Sequence, residues 1–161
     1  MYTNFIFIGI FLGYAMGAAP VVGYNYGAGN KNRVKKAFMV SIRTAAICGV
    51  MATTLLTLAA KPLVGLFLQP GSKPYDIAVS GLPLFAYSAI FFALNVAVIG
   101  YYQATEQNSR ATLFMLLRGL LFLIPAFILM PLLVAPQGMW LAVPVTECMT
   151  LGVILLTNKR V

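Results

Sequence analysis

Residues 111–134 read ATLFMLLRGLLFLIPAFILMPLLV, an apolar run interrupted by a single charge, Arg118. A run of roughly 20 or more such residues is what an α-helix needs to cross a ~30 Å hydrocarbon core. Backbone N–H and C=O groups cannot stay unpaired in lipid, so a stretch of this kind is helical. Four further apolar segments have the same character: residues 5–24, 34–60, 77–104 and 137–157. Turn compositions separate them: Gly27-Ala28-Gly29-Asn30, Gln69-Pro70-Gly71-Ser72-Lys73-Pro74, Glu106-Gln107-Asn108-Ser109 and Ala135-Pro136. The reading is an all-α membrane protein of about five transmembrane helices, with residues 1–161 forming a single transmembrane helical bundle.

Composition agrees. The 161 residues are 61% hydrophobic and 9% charged, with a mean hydropathy of +0.90, whereas soluble domains run about 45–50% apolar and about 25% charged. A soluble fold of this size leaves too much surface wet to hide so many apolar side chains. The formal net charge of +8 does not point to nucleic acid, because no basic face with interleaved aromatics extends along the chain. The charges sit at span ends: Lys31, Arg33, Lys35 and Lys36 between the first two apolar runs, Arg110 in the third loop, and Lys159 and Arg160 at the C-terminus. The alternate loops hold only Lys61 and Lys73. That asymmetry puts the Lys31 segment and the C-terminus in the cytoplasm and the N-terminus outside, in a multi-pass protein of the cell membrane whose first partner is the lipid bilayer. Cys48 and Cys148 fall inside apolar runs, without metal spacing or a disulfide framework. With three acids and no histidine there is little from which to build an enzyme, a metal site or a cofactor site.

Charges inside the spans are the residues most open to a functional role. Arg118 lies about 10 Å below the start of the fourth segment and Glu147 about 15 Å from the end of the fifth, at 1.5 Å per residue. The two segments are joined by the tight 135–137 turn, so they are antiparallel neighbours and the two charges are expected to pair. Two readings stay open. Glu147 is part of a proton or cation site that Arg118 tunes, or the two form a buried pair that sets helix register. Asn95 and Gln103, with Tyr87, are candidates for lining an aqueous cavity, although Tyr101 and Tyr102 suit an interfacial belt equally well. Arg43 is placed to snorkel to the interface. Pro20, Pro83 and Pro125, with Gly9, Gly13 and Gly17, suggest kinks or close packing. Gly27-Ala28-Gly29 lacks the Gly-Lys-Ser/Thr ending of a phosphate loop and follows a helix rather than a strand, so it reads as a helix C-cap.

Pro20-Val21-Val22-Gly23-Tyr24-Asn25-Tyr26-Gly27-Ala28-Gly29-Asn30, followed by Arg33-Val34, resembles the stretch leaving the second helix of C-terminal halves in the multidrug and toxic compound extrusion (MATE) family. Arg118 with Pro125, and Trp140-Leu141-Ala142-Val143-Pro144-Val145-Thr146-Glu147, look like that family's last two helices. The resemblance implies a parent of twelve helices in two six-helix lobes that exports small amphipathic or cationic drugs in exchange for H⁺ or Na⁺. By that register this chain supplies helices eight to twelve, most of the C-terminal lobe, with the missing N-terminal lobe as its partner. Met1 runs almost directly into an apolar helix without a signal-type n-region, and an odd helix count with an external start is expected of a chain lacking preceding sequence. The pattern also departs from the family's: the third segment has no Asp or Glu, which leaves Glu147 as the one acid within a span. The implied activity is thus part of a secondary multidrug efflux antiporter, with no cofactor beyond a coupling ion. The alternatives are a lipid-linked oligosaccharide flippase of the wider superfamily or a non-transporting truncated fragment.

Overall fold

A computed structural model describes residues 2–134 and 137–158, with side chains for 9–134 and 137–157. The expected Ala135-Pro136 turn and the basic end Lys159-Arg160 lie outside the described residues. Eight α-helices follow in order: α1 Tyr2–Gly27, α2 Lys31–Leu58, α3 Ala60–Gly65, α4 Lys73–Ala86, α5 Ser88–Ala104, α6 Asn108–Leu116, α7 Leu123–Leu133 and α8 Gly138–Asn158. A π-helical turn, Leu117–Leu121, joins α6 to α7, and there is no strand among the described residues. Four spans are long and apolar enough to cross a membrane: Lys31–Leu58, Lys73–Ala104, Asn108–Leu133 and Gly138–Thr157. α1 has 26 residues, about 39 Å of helix, and packs against α2 and α5.

Two of the expected spans are broken, each near a proline. The 77–104 segment divides at Tyr87, one turn after Pro83. A proline inside a helix removes one N–H and crowds the preceding turn. The carbonyl of Ala86 freed at this break accepts a hydrogen bond from Thr53 Oγ1 on α2 at 2.9 Å, within buried surroundings. Ser88 Oγ closes the other side by donating to Phe85 O at 2.7 Å. The second break is the π-turn. There the Phe122 N–H reaches back five residues to Leu117 O at 2.8 Å, just ahead of Pro125, which enters the first turn of α7 where a missing N–H is tolerated.

Helix contacts use small side chains, as lipid-embedded packing favours. Ser41, Ala45, Gly49 and Thr53 recur every fourth residue along α2 and are all buried. They face α5, where Ala89, Ala93 and Ala97 complete a core with Phe11 of α1. The approach is closest at Gly49, where a Cβ would stand 2.8 Å from Ile90 Cα. α5 is the hub, touching α1, α2, α6 and α8. A second core of Val98, Ile99, Tyr102, Ala111, Phe114 and Ile154 ties the end of α5 to the start of α6 and the end of α8. Gly23 near the end of α1 sits within contact of the Ala104 carbonyl. The α1–α2 and α5–α6 connections and the C-terminal part of α8 therefore share one end of the bundle. The large side chains that remain, Leu113, Leu116, Leu120, Ile124, Phe127 and Ile128 among them, point outward from α6, the π-turn and α7.

The basic residues sit differently from the sequence expectation. Lys31, Arg33, Lys35 and Lys36 are not in a loop but in the first turns of α2. The reason is an abrupt reversal: α1 ends in a Schellman cap with Asn30 N–H on Asn25 O at 3.0 Å and Gly29 N–H on Tyr26 O at 2.9 Å. Gly29 takes φ +71°, a left-handed conformation that costs glycine nothing, and α2 begins two residues later. The end of α5 repeats the cap, with Gln107 N–H on Tyr102 O at 2.9 Å and Glu106 N–H on Gln103 O at 3.2 Å. Here Glu106 occupies the left-handed position, φ 61°.

Two stability changes follow, both to be read from unfolding of the detergent-solubilised chain. Thr53→Val keeps the shape and orphans the Ala86 carbonyl, so stability falls by about 1–2 kcal/mol, while Thr53→Ser retains most of it. Glu106→Gly relieves a left-handed L-residue and raises stability by up to about 1 kcal/mol.

Candidate functional site

Three helical segments, apolar around this point, bring one polar side chain each to the same depth. Asn95 lies nine residues from the end of α5, Arg118 ten from the start of α6, and Glu147 eleven from the end of α8. Measured from the bundle end these helices share, each is about 15 Å deep at 1.5 Å per residue, near the middle of a ~30 Å core. Arg118 Nη2 donates to Glu147 Oε1 at 2.6 Å. Asn95 Nδ2 donates to Glu147 Oε2 at 2.7 Å and to the Glu147 backbone carbonyl at 2.9 Å. Both carboxylate oxygens are thus engaged, by donors from two different helical segments.

Burial makes these bonds matter. Asn95 is wholly buried and Glu147 is 4% exposed, while the Arg118 side chain is 17% exposed. An unpaired charge at this depth costs at least about 2.5–3.5 kcal/mol. The guanidinium also lies over an aromatic ring, its Cζ 4.4 Å from the ring centroid of Phe92, a cation–π contact that strengthens as water is excluded. Thr146 and Thr150 flank Glu147 and are buried. Their hydroxyls donate to Ala142 O at 2.8 Å and Thr146 O at 2.9 Å on their own helix, so they give nothing to the carboxylate. One buried polar atom is left over: Asn95 Oδ1 has no hydrogen-bond partner.

Arg118 is presented by the π-turn, a wide turn that alters which way a side chain leaves the helix. On its outer side the residue borders a cavity of about 180 Å³ between α1, α5 and α6, lined by Leu12, Ala15, Met16, Gln103 and Met115 among others. The structure therefore brings Arg118, Glu147 and Asn95 together, and sets Gln103 on the same cavity wall as Arg118. Asn95, a candidate for that wall, is instead enclosed where α5 meets α8, because its amide is taken up by Glu147. Tyr87 is 53% exposed at the α4–α5 break. Tyr101 packs on Phe38 with centroids 4.4 Å apart, and Tyr102 on Phe114 at 5.6 Å. Pro20, Gly23, Tyr24, Asn25, Gly27, Gly29 and Arg33 build the end of α1 and the start of α2. There Asn25 Nδ2 donates to Val21 O at 2.7 Å. Phe92 carried no sequence signal at all. Among the described residues no group of three His, Cys, Asp or Glu side chains is placed to hold a metal.

Removing one member of the ion pair exposes the other. Arg118→Ala or Glu147→Ala should each lower stability by about 3–5 kcal/mol, whereas Arg118→Leu combined with Glu147→Leu recovers most of the loss. Unfolding of the purified chain in mixed micelles measures all three.

A family model described as MatE matches residues 1–129. The match takes in Asn95 and Arg118 and ends within α7, before Glu147. No curated protein and no solved structure matches the chain.

Proposed function

Because this chain belongs to the MatE family, whose members are membrane transporters rather than enzymes, we propose that it forms most of one lobe of a secondary multidrug efflux antiporter. In this reading small amphipathic or cationic drugs leave the cell in exchange for H⁺ or Na⁺, and a second lobe completes the pathway. The observation that supports it is the Arg118–Glu147–Asn95 cluster at mid-depth in apolar helices, beside a cavity. Ionisable groups inside a membrane are costly, face the protein interior and commonly mark ion and substrate pathways. The cavity is smaller than the ~300–1,000 Å³ that encloses a drug-sized ligand, which fits a cleft finished by another lobe.

The same reading sets the orientation. Lys31, Arg33, Lys35, Lys36 and Arg110 gather at one end of the bundle and Lys61 and Lys73 at the other. By the positive-inside rule the first end, and with it the C-terminus, faces the cytoplasm, in a plasma membrane.

Drug accumulation in cells producing the chain, alone and together with an N-terminal lobe of the family, tests the proposal. Accumulation should fall only when both are present, and the fall should vanish when the H⁺ and Na⁺ gradients are both collapsed. Unchanged accumulation in both cases overturns it. The role of the ion pair is separable: Arg118→Ala with Glu147→Ala should abolish export while preserving insertion, and full export by that variant would reduce the pair to a register device.

A further inference from the structure

Arg43 is a charge for which the bundle supplies no partner. It stands on α2 as the one charged residue between Lys36 and Lys61. Its side chain is exposed and makes no ion pair or hydrogen bond among the described residues. The acids of the chain are engaged or placed elsewhere. Glu147 is held by Arg118 and Asn95, Asp76 is in the first turn of α4, and Glu106 follows α5.

The face that carries Arg43 is a regular stripe. Ser41, Ala45, Gly49 and Thr53 turn inward, whereas Lys36, Val40, Arg43, Ile47 and Val50 are all exposed and recur every three or four residues, the spacing of one helix face. α1, α3, α4 and α5 pack on the other sides of α2. In a membrane the neighbour of this stripe is therefore lipid, and position along it decides which part of a lipid it meets. Lys36 and Lys61 are both exposed and bracket about 37 Å of helix at 1.5 Å per residue, against a ~30 Å hydrocarbon core. Arg43 begins about 10 Å beyond Lys36, inside that core. Tyr24 and Tyr26, exposed at the end of α1, mark the interfacial layer at the Lys36 end. Side chains on a helix lean toward its N-terminus, so an extended Arg43 carries its guanidinium back toward Lys36, as a snorkelling arginine does.

The stripe thus has two cations at the headgroup border, no acid between them, and apolar surface at Ile47 and Val50 on the core side. A guanidinium gives two parallel N–H donors to a phosphate, and lysine adds a point charge. A free anion would leave the apolar half of the stripe unused, whereas a phospholipid uses both halves. A headgroup bearing its own cation would offset the phosphate charge, so a net anionic headgroup is favoured. We propose that Arg43 and Lys36 form a site on the outer face of α2 for the phosphate of an anionic phospholipid, with one acyl chain laid along Ile47 and Val50. The inference goes beyond the transport reading and does not depend on which way the chain faces, since it is measured by binding without export.

Native mass spectrometry of the full chain in non-ionic detergent tests it, with phosphatidylglycerol and phosphatidylcholine of the same acyl chains as probes. Phosphatidylglycerol should bind at least about tenfold more tightly, and a large excess of inorganic phosphate should not displace it. Arg43→Gln should weaken phosphatidylglycerol about tenfold and Lys36→Gln about fivefold, as expected for one cation near the lipid surface. Lys35→Gln is the control, being adjacent in sequence but off the stripe, and should change affinity less than about twofold. Equal binding of the two lipids, displacement by inorganic phosphate, or a loss from Lys35→Gln as large as that from Arg43→Gln would each overturn the proposal. So would release of the lipid when an N-terminal lobe of the family is bound, which would make Arg43 a protein contact. If Arg43→Gln does not fold, Arg43→Lys, which keeps the charge and loses the fork, should still weaken binding about threefold, and unchanged affinity there would count against the site.

Discussion

Lipid offers no hydrogen bonds, and that single constraint explains most of what this chain does with its polar groups. Each break in a span is followed by a repair. The Ala86 carbonyl freed by the Pro83 break is met by Thr53 from a different helix, and the wide turn ahead of Pro125 finds its own longer bond. At mid-depth the same rule draws a carboxylate, a guanidinium and an amide into one cluster. Among the buried side-chain polar atoms of the described residues, Asn95 Oδ1 alone is left without a partner.

The spans and their helical nature were legible because apolar length is a one-dimensional property of the chain. The Arg118–Glu147 pair was legible for a related reason: depth along a helix can be counted, and a short connection makes consecutive helices neighbours. What could not be counted was rotation. Nothing in the numbering says that Asn95 turns toward Glu147 rather than toward the cavity, or that Phe92 lies beneath the guanidinium. Both depend on how α5 is rolled between α6 and α8. The breaks at Tyr87 and at Leu117–Leu121 were foreshadowed by Pro83 and Pro125, but proline announces a disturbance without saying which carbonyl is freed or who will cap it. The four-residue recurrence of Ser41, Ala45, Gly49 and Thr53 was visible in the sequence as a small-residue ridge. It was the one packing signal that an overall hydropathy reading passed over.

Packing and exposure divide the bundle unequally. α5 spends small side chains inward on α2 and α1, where close backbone approach replaces the hydrophobic drive that lipid does not supply. The α6–α7 span is the opposite, with most of its large side chains outward and Ala126 as the one buried residue of α7. The ion pair sits where these two regimes meet. Arg118 leaves the outward-facing span to reach α8, and this bond ties that span to the rest of the bundle at mid-depth.

That tie rests on an extra residue. A π-turn is an α-helix with one residue inserted, and each residue advances an α-helix by about 100°. Side chains before and after Leu117–Leu121 therefore belong to two different angular frames, which is how α7 can turn its large side chains outward while Arg118 points inward. Substitutions within the turn leave that phase relation intact. A single-codon deletion would not: it would restore a regular helix and swing everything on one side of Arg118 by a quarter turn or more. For lineages descending from this sequence, the length of this turn is therefore constrained alongside the identity of Arg118.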